Sequence, residues 1–315
     1  MSAIPSLNLL DFTHGDAENR TEFVRALGQA YEQVGFASVS GHELGDALTD
    51  ALYEQVKAFF AMEPECKLRY EVAGAAGQRG YTAFGREHAK GRTVGDLKEF
   101  FQFGQEFDPA DPADEGGAVN VEVTELPDFN RLAMRTFRAL ESSGRSILRA
   151  IALYLNLPEP YFDAHISGGT SILRAIHYGP ITREPLHAVR AAEHEDINLI
   201  TLLMGASADG LQVLSREGQW VGVTALPSQV VVNVGDMLQR LTNNRLKSTT
   251  HRVVNPPREL WGTSRYSIPF FLHPRAEMPL DCLPGCIDEQ HPRAYEPITA
   301  GAYLDERLRE IGLKV

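Results

Sequence analysis

His194-Glu195-Asp196, then Val232-Asn233-Val234-Gly235-Asp236-Met237-Leu238-Gln239, then His251, then Arg265-Tyr266-Ser267 follow one another through the second half of a 315-residue chain. In a β-strand successive side chains alternate faces, so His194 and Asp196 are expected to aim at one point while Glu195 aims away. His251 supplies a second imidazole. Two imidazoles and one carboxylate, with further positions open, make a ligand set suited to Fe(II) that must also take a co-substrate and dioxygen. By the same alternation Arg265 and Ser267 share a face. A guanidinium fork beside a hydroxyl suits a carboxylate.

Around these residues the chain has the texture of short strands parted by turns: Ser171 to Tyr178, Ile197 to Met204, Leu211 to Leu214, Trp220 to Ala225, Gln229 to Val234, Lys247 to Val254 and Ser264 to Leu272. Such spacing predicts a sandwich or barrel, and a strand near Phe100 or at the N-terminus brings the count close to the eight of a double-sheet jelly roll. Within Ser171 to Tyr178, alternation puts Arg174, Ile176 and Tyr178 on one face and His177 on the other.

Working outward, Phe23, Leu27 and Tyr31 mark a helix ending near Gly35, Phe36 to Ser40 a brief strand, and Leu44 to Phe60 a second amphipathic helix. Ile4 to Phe12 reads as an opening strand. A long helical pattern begins at Pro127 and closes at Pro158, and a helix of that length is expected to back the sheet. The fold class is therefore mainly β with flanking helices: a double-stranded β-helix (jelly-roll) core backed by N-terminal and long central helices. The expected organisation is an N-terminal region at 1–125, connecting helices at 126–167, the core at 168–275 and a tail with a terminal helix at 276–315, all in one compact unit.

The Gly-rich segment from Val72 to Gly95 reads as loop. Its Arg79, Tyr81 and His88 are either solvated loop residues or substrate contacts, as loops on a rigid scaffold often supply these. Asp96 to Phe103 returns to a strand-like alternation with an aromatic face, and Phe101 is a candidate pocket wall. Asp108 to Gly117 reads as a linker or lid.

Lys plus Arg total 30 against 42 for Asp plus Glu, a formal charge of -12, which argues against nucleic acid and anionic membrane as partners. No leader pattern or membrane-length apolar run is present, and three cysteines, Cys66, Cys282 and Cys286, suit a reducing compartment. A soluble cytoplasmic protein is expected. Cys282 and Cys286 are spaced like half a zinc site, but no second pair matches.

His-X-Asp alone carries little weight, because His14-Gly15-Asp16 fits it equally well. There, Asp16 or Asn19 reads as the cap of the helix that follows. A lone His251 in a strand would ordinarily be a hydrogen-bonded core residue. What separates the two cases is the ordered set that His194, Asp196, His251, Arg265 and Ser267 make together.

At these residues the chain resembles the 2-oxoglutarate and Fe(II)-dependent dioxygenase superfamily, in the branch named for isopenicillin N synthase. The resemblance runs over nearly the whole chain: Ile4 to Leu9, Gly35-Phe36, Gly41-His42, Gly80-Tyr81 and Asp96-Leu97-Lys98-Glu99, with the most specific match from Val232 to Val253 and then Arg265 to Phe271. It implies that His194, Asp196 and His251 are the catalytic iron ligands. It also implies that Arg265 and Ser267 hold the distal carboxylate of 2-oxoglutarate, with Tyr178 close by. Ile176 stands where many members have Asn, and Arg174 on the same face is the candidate to compensate. Glu195 and Asn198 replace the commoner Thr and Gly around the aspartate. The implied reaction is oxidation of a small-molecule C–H bond by dioxygen, with release of succinate and carbon dioxide. Two other readings stay open: an iron oxidase that does not use 2-oxoglutarate, and a jelly-roll binding protein without turnover. Neither the substrate nor the oligomeric state is legible.

Overall fold

The computed structural model describes residues 4–91, 94–106, 118–205, 209–224 and 228–314. The first elements are β1 (Ser6–Asn8), α1 (Leu9–Thr13), α2 (Ala17–Gln33), β2 (Phe36–Ser40), α3 (Asp46–Phe60), α4 (Pro64–Leu68), β3 (Gly80–Thr82), β4 (Glu99–Gly104), α5 (Pro127–Tyr154) and α6 (Asp163–Ile166). The remainder comprises β5 (Ile172–Tyr178), β6 (Ala191–His194), β7 (Ile200–Leu203), β8 (Leu211–Leu214), β9 (Trp220–Gly222), β10 (Val230–Val234), α7 (Asp236–Leu241), β11 (His251–Val253), β12 (Arg265–Ser267), β13 (Pro269–Leu272) and α8 (Ala300–Glu310).

Among the described residues the strands form two sheets, which are the two layers of a jelly roll. The larger runs β1-β2-β10-β7-β13-β5-β4-β3 with β12 also paired to β5, and the smaller runs β6-β11-β8-β9. Helix α5 lies on the outer face of the larger sheet, as its length predicts. Phe137 meets Phe270 edge to face at 4.9 Å. A Cβ on Gly144 would come within 2.9 Å of the Leu272 side chain, so glycine lets the helix approach the sheet closely. Phe59, Phe101, Phe103 and Phe129 make a buried aromatic cluster between α3, β4 and α5. Burying each such ring contributes on the order of 2 kcal/mol.

Three expectations need correcting. The opening strand stops at Asn8, because the Asn8 side chain accepts from Leu10 N–H and so caps α1 where more strand was expected. The Val72 to Gly95 loop contains β3, whose Gly80 adopts φ 68° to enter the pairing with β4. The strand expected through His194-Glu195-Asp196 is instead β6, which starts at Ala191 and ends at His194. Its Ala191-Ala192-Glu193-His194 lacks β-branched residues, and pairing with β11 decides its conformation. The expected cap of α2 is present: Asp16 accepts from Asn19 N–H at 2.9 Å. The linker expected over Asp108 to Gly117 lies outside the described residues.

Candidate active site

His194 ends β6 and His251 begins β11, directly opposed across the antiparallel pair. Their rings sit 4.3 Å apart. His194 Nδ1–H donates to the Ala192 carbonyl at 2.7 Å and His251 Nδ1–H to the Thr249 carbonyl at 3.1 Å. A carbonyl can only accept, so in both rings the lone pair is left on Nε2. These Nε2 atoms lie 3.9 Å and 3.6 Å from Asp196 Oδ1. One ligand atom from each residue falls within 4.8 Å of the others, close enough for one divalent ion to bridge all three.

Asp196 does converge with His194, but not by strand alternation, since β6 stops at His194. Its position is set in the turn that follows, where the Asp196 carbonyl accepts from Asp236 N–H at 2.8 Å. Its Oδ2 accepts from Thr201 Oγ1 at 2.7 Å and Asn233 Nδ2 at 2.8 Å, and Asn198 Nδ2 donates to the same Thr201 hydroxyl at 2.8 Å. That division leaves Oδ1 for a metal. Glu195 turns away, toward Thr250 Oγ1 at 3.4 Å. Gly235 permits this packing, because a Cβ there would strike Asn198 Oδ1 at 2.1 Å.

The electrostatics of His194 and Asp196 suit ligation. Burial, reinforced by the neighbouring His251, pulls the His194 pKa down to about 4, which keeps the ring neutral at ordinary pH. For Asp196 burial alone would raise the pKa, but the two imidazoles and the hydrogen bonds hold it far below the usual carboxylate range. On His251 burial is outweighed by Asp196, and the pKa rises. The donor set thus fits Fe(II), which takes imidazole and carboxylate together and keeps other positions open.

The cavity in front of this triad, about 160 Å³, is also lined by Arg265, Ser267 and Tyr178. On β12 Arg265 pairs with Tyr178 of β5 and Ser267 with Ile176, which places both side chains on the cavity face. Arg265 is only 2% exposed, and its guanidinium carbon stands 5.0 Å from the Tyr178 ring. Arg190, which the sequence did not single out, brings a second buried guanidinium near Arg265. Burial and the Arg265 charge both lower its pKa, and its Nε has no hydrogen-bond partner among the described residues. Two cations enclosed together favour an anion between or beside them.

Arg174 faces the cavity, as alternation predicts, but four residues down β5 from Tyr178, about 13 Å along the strand. Its guanidinium bonds Glu87 through Nη1 at 3.1 Å and Gln102 through Nε at 2.8 Å. His177 faces the other way, with Nδ1 on Glu99 at 2.7 Å and Nε2 on Ser264 Oγ at 2.9 Å.

Of the loop candidates, His88 lines the cavity. Arg79 does not: it donates to the Ala118 carbonyl at 3.3 Å and the Gln78 carbonyl at 2.8 Å. Tyr81 donates to Glu99, and Phe101 belongs to the aromatic cluster against α5. This strand gives the cavity Gln102 instead, in step with Lys98 and Asp96, while Phe100 packs with Ile176 and Tyr178. Alternation read from Lys98 would have found Gln102. Leu304, Leu308 and Ile311, from α8 and the tail, close another side and carry no sequence signal beyond a helical stripe. Among the described residues Cys282 and Cys286 join no metal-ligand cluster, and Cys282 Sγ contacts the Arg240 carbonyl.

Comparison with known proteins accords with this geometry. Residues 4–122 match the model of the N-terminal region of non-haem dioxygenases in morphine synthesis, and 169–274 match that of the 2OG-Fe(II) oxygenase superfamily. A 2-oxoglutarate-Fe(II) type oxidoreductase of Emericella nidulans is 30% identical over 96% of this chain and 90% of its own. A putative 2OG-Fe(II) oxygenase family protein from Caulobacter crescentus has a similar crystal structure, with 42% identity, TM-score 0.87, and coverage of 99% of this chain and all of its own. A Neurospora crassa protein in complex with alpha-KG and thymine gives 32% identity and TM-score 0.85 over 97% of this chain and 96% of its own. The chain belongs to the 2-oxoglutarate-Fe(II) oxygenase superfamily, whose members use Fe(II) and 2-oxoglutarate.

Proposed function

We propose that His194, Asp196 and His251 hold Fe(II), that Arg265, Ser267 and Tyr178 seat the distal carboxylate of 2-oxoglutarate, and that the protein oxidises a C–H bond of a small molecule. Bound there, iron and co-substrate supply the oxidising chemistry, in which 2-oxoglutarate and dioxygen give succinate and carbon dioxide. The chain's own part is placement. Thr201 and Asn233 fix the Asp196 carboxylate, backbone carbonyls fix both imidazoles, and the shape of the cavity decides which C–H bond lies within reach.

The observation that carries this reading is a buried Arg265 beside Ser267 in the same cavity as the triad. A guanidinium fork beside a hydroxyl suits a carboxylate, and the dicarboxylate 2-oxoglutarate presents one. The names of the relatives favour 2-oxoglutarate over an oxidase that lacks it. The complex with thymine supports a small-molecule substrate. Among the described residues no helix is long and apolar enough to cross a membrane. With Cys66, Cys282 and Cys286 all free thiols, this supports the cytoplasm as the site of action. We also read the chain as one unit, since a single apolar cluster runs from Leu9 to Ala300.

The test is aerobic incubation with Fe(II) and 2-oxoglutarate, measuring succinate. Wild type should release it, and Arg265→Met should need roughly 10- to 100-fold more 2-oxoglutarate, the loss expected for one charge-assisted hydrogen-bonded pair. Equal 2-oxoglutarate dependence in the two proteins would reject the assignment of Arg265.

A further inference from the structure

The cavity wall away from Arg265 is built of charges. Arg174 Nη1 donates to Glu87 Oε1 and Oε2 at 3.2 Å and 3.1 Å, and its Nε donates to Gln102 Oε1 at 2.8 Å. Lys98 Nζ donates to Glu87 Oε1 at 2.5 Å and to Asp96 Oδ2 at 2.9 Å. Asp96 Oδ1 in turn accepts from Ala192 N–H at 3.1 Å, two residues before His194. The Arg174 guanidinium lies between two aromatic faces, 4.2 Å from the Phe100 centroid and 5.3 Å from that of Phe271. Its plane is therefore fixed.

Glu87, Asp96 and Lys98 are each under a tenth exposed. Burying four charges is costly, and replacing buried ion pairs by apolar residues of similar volume is often neutral or stabilising, so stability is a weak account of this wall. Two features define its role. The wall is balanced, two carboxylates against two cations, so a ligand with net charge finds no counter-ion there. It is also unsaturated: Arg174 Nη2 makes no hydrogen bond within the described residues, and the Glu87 carboxylate keeps acceptor capacity on Oε2. Burial alone would raise the Glu87 pKa, but Arg174 and Lys98 bring it down to about 2, so it remains an acceptor at any ordinary pH.

We infer that Arg174 and Glu87 form the substrate-recognition edge of this oxygenase, and that the substrate is a small uncharged molecule carrying a carbonyl beside an N–H, as in a lactam or cyclic imide. The carbonyl accepts from Arg174 Nη2 and the N–H donates to Glu87. A donor next to an acceptor on a rigid wall matches such an edge and disfavours free carboxylates and amines. The inference rests on the reading of Arg265 as the anchor of the co-substrate, which leaves Arg174 for the substrate.

The test uses two probes that differ by one charge, 2-pyrrolidinone and pyroglutamate, titrated by calorimetry into the anaerobic protein loaded with Fe(II) and 2-oxoglutarate. Wild type should bind the neutral lactam at least tenfold more tightly than the carboxylate. Arg174→Met should weaken lactam binding tenfold or more while leaving 2-oxoglutarate affinity within twofold. Glu87→Gln, which is isosteric and leaves the wall with a surplus positive charge, should cut the preference for the neutral probe at least tenfold. Three results would overturn the inference: wild type preferring pyroglutamate or binding neither probe at millimolar concentration, a tenfold loss of 2-oxoglutarate affinity in Arg174→Met, or an unchanged preference in Glu87→Gln. Failure of the co-substrate reading shows separately, as no binding of 2-oxoglutarate to wild type. The same two probes titrated without it then decide the wall.

Discussion

Asp196 divides its carboxylate, one oxygen toward the imidazoles and the other held by Thr201 and Asn233. Partners that orient a ligand in this way typically carry about 10- to 100-fold in metal affinity. Asn233→Ala should therefore weaken Fe(II) binding by roughly that factor, as read by competition with a metal indicator, with the fold intact by circular dichroism. Unchanged affinity would mean that Asn233 only fills space. At this scale the sequence was most legible where chemistry restricts the residue type. His194, Asp196, His251, Arg265 and Ser267 stand together as their order implied. Thr201, Asn198 and Arg190 were not legible, because a hydroxyl, an amide or a guanidinium acquires its role from the atom it happens to meet.

Among the elements, α8 is joined to the core beside the metal ligands. Tyr303 donates to Asp236 Oδ2 at 2.8 Å, while Asp236 Oδ1 is enclosed without a partner among the described residues. Burial pushes the Asp236 carboxyl up to about 8. A carboxyl whose pKa is raised on folding holds its proton more tightly in the folded state. Its contribution is thus fully present below the ordinary carboxylate range and is lost as pH rises toward about 8. Each pH unit in that window costs the wild type up to about 1.4 kcal/mol. Asp236→Asn keeps the acceptor for Tyr303 and removes the titration, so its melting temperature should exceed that of wild type at pH 8 and converge with it toward about pH 4. A constant difference across that range would exclude Asp236 as the source. Strand alternation was a good guide on β5 and β12, which are regular, and the wrong reason for Asp196, which lies in a turn. Phe101 was misassigned for a related reason. Both faces of β4 are aromatic, so hydrophobicity alone does not say which one meets the cavity.

Over the whole molecule, one apolar cluster links the N-terminal helices, α5 and the larger sheet, while the triad sits at the mouth of the smaller sheet. The jelly roll was legible from strand spacing. The closure of the cavity by α8 and the tail was not, because it depends on contacts between parts of the chain more than a hundred residues apart. A site built across both sheets couples ligand binding to global stability. A ligand present at about 100 times its Kd adds about 2.7 kcal/mol, so Fe(II) with 2-oxoglutarate should raise the melting temperature by several degrees under anaerobic conditions. No shift with both present would argue against a shared site. The most direct measurement is anaerobic titration of the Fe(II)-loaded protein with 2-oxoglutarate, followed by visible absorption, in wild type and in Asp196→Ala. The expected result is a saturable metal-to-ligand charge-transfer band in wild type that is absent from Asp196→Ala. No band in wild type, or an equal band in the variant, would contradict the assignment of this site.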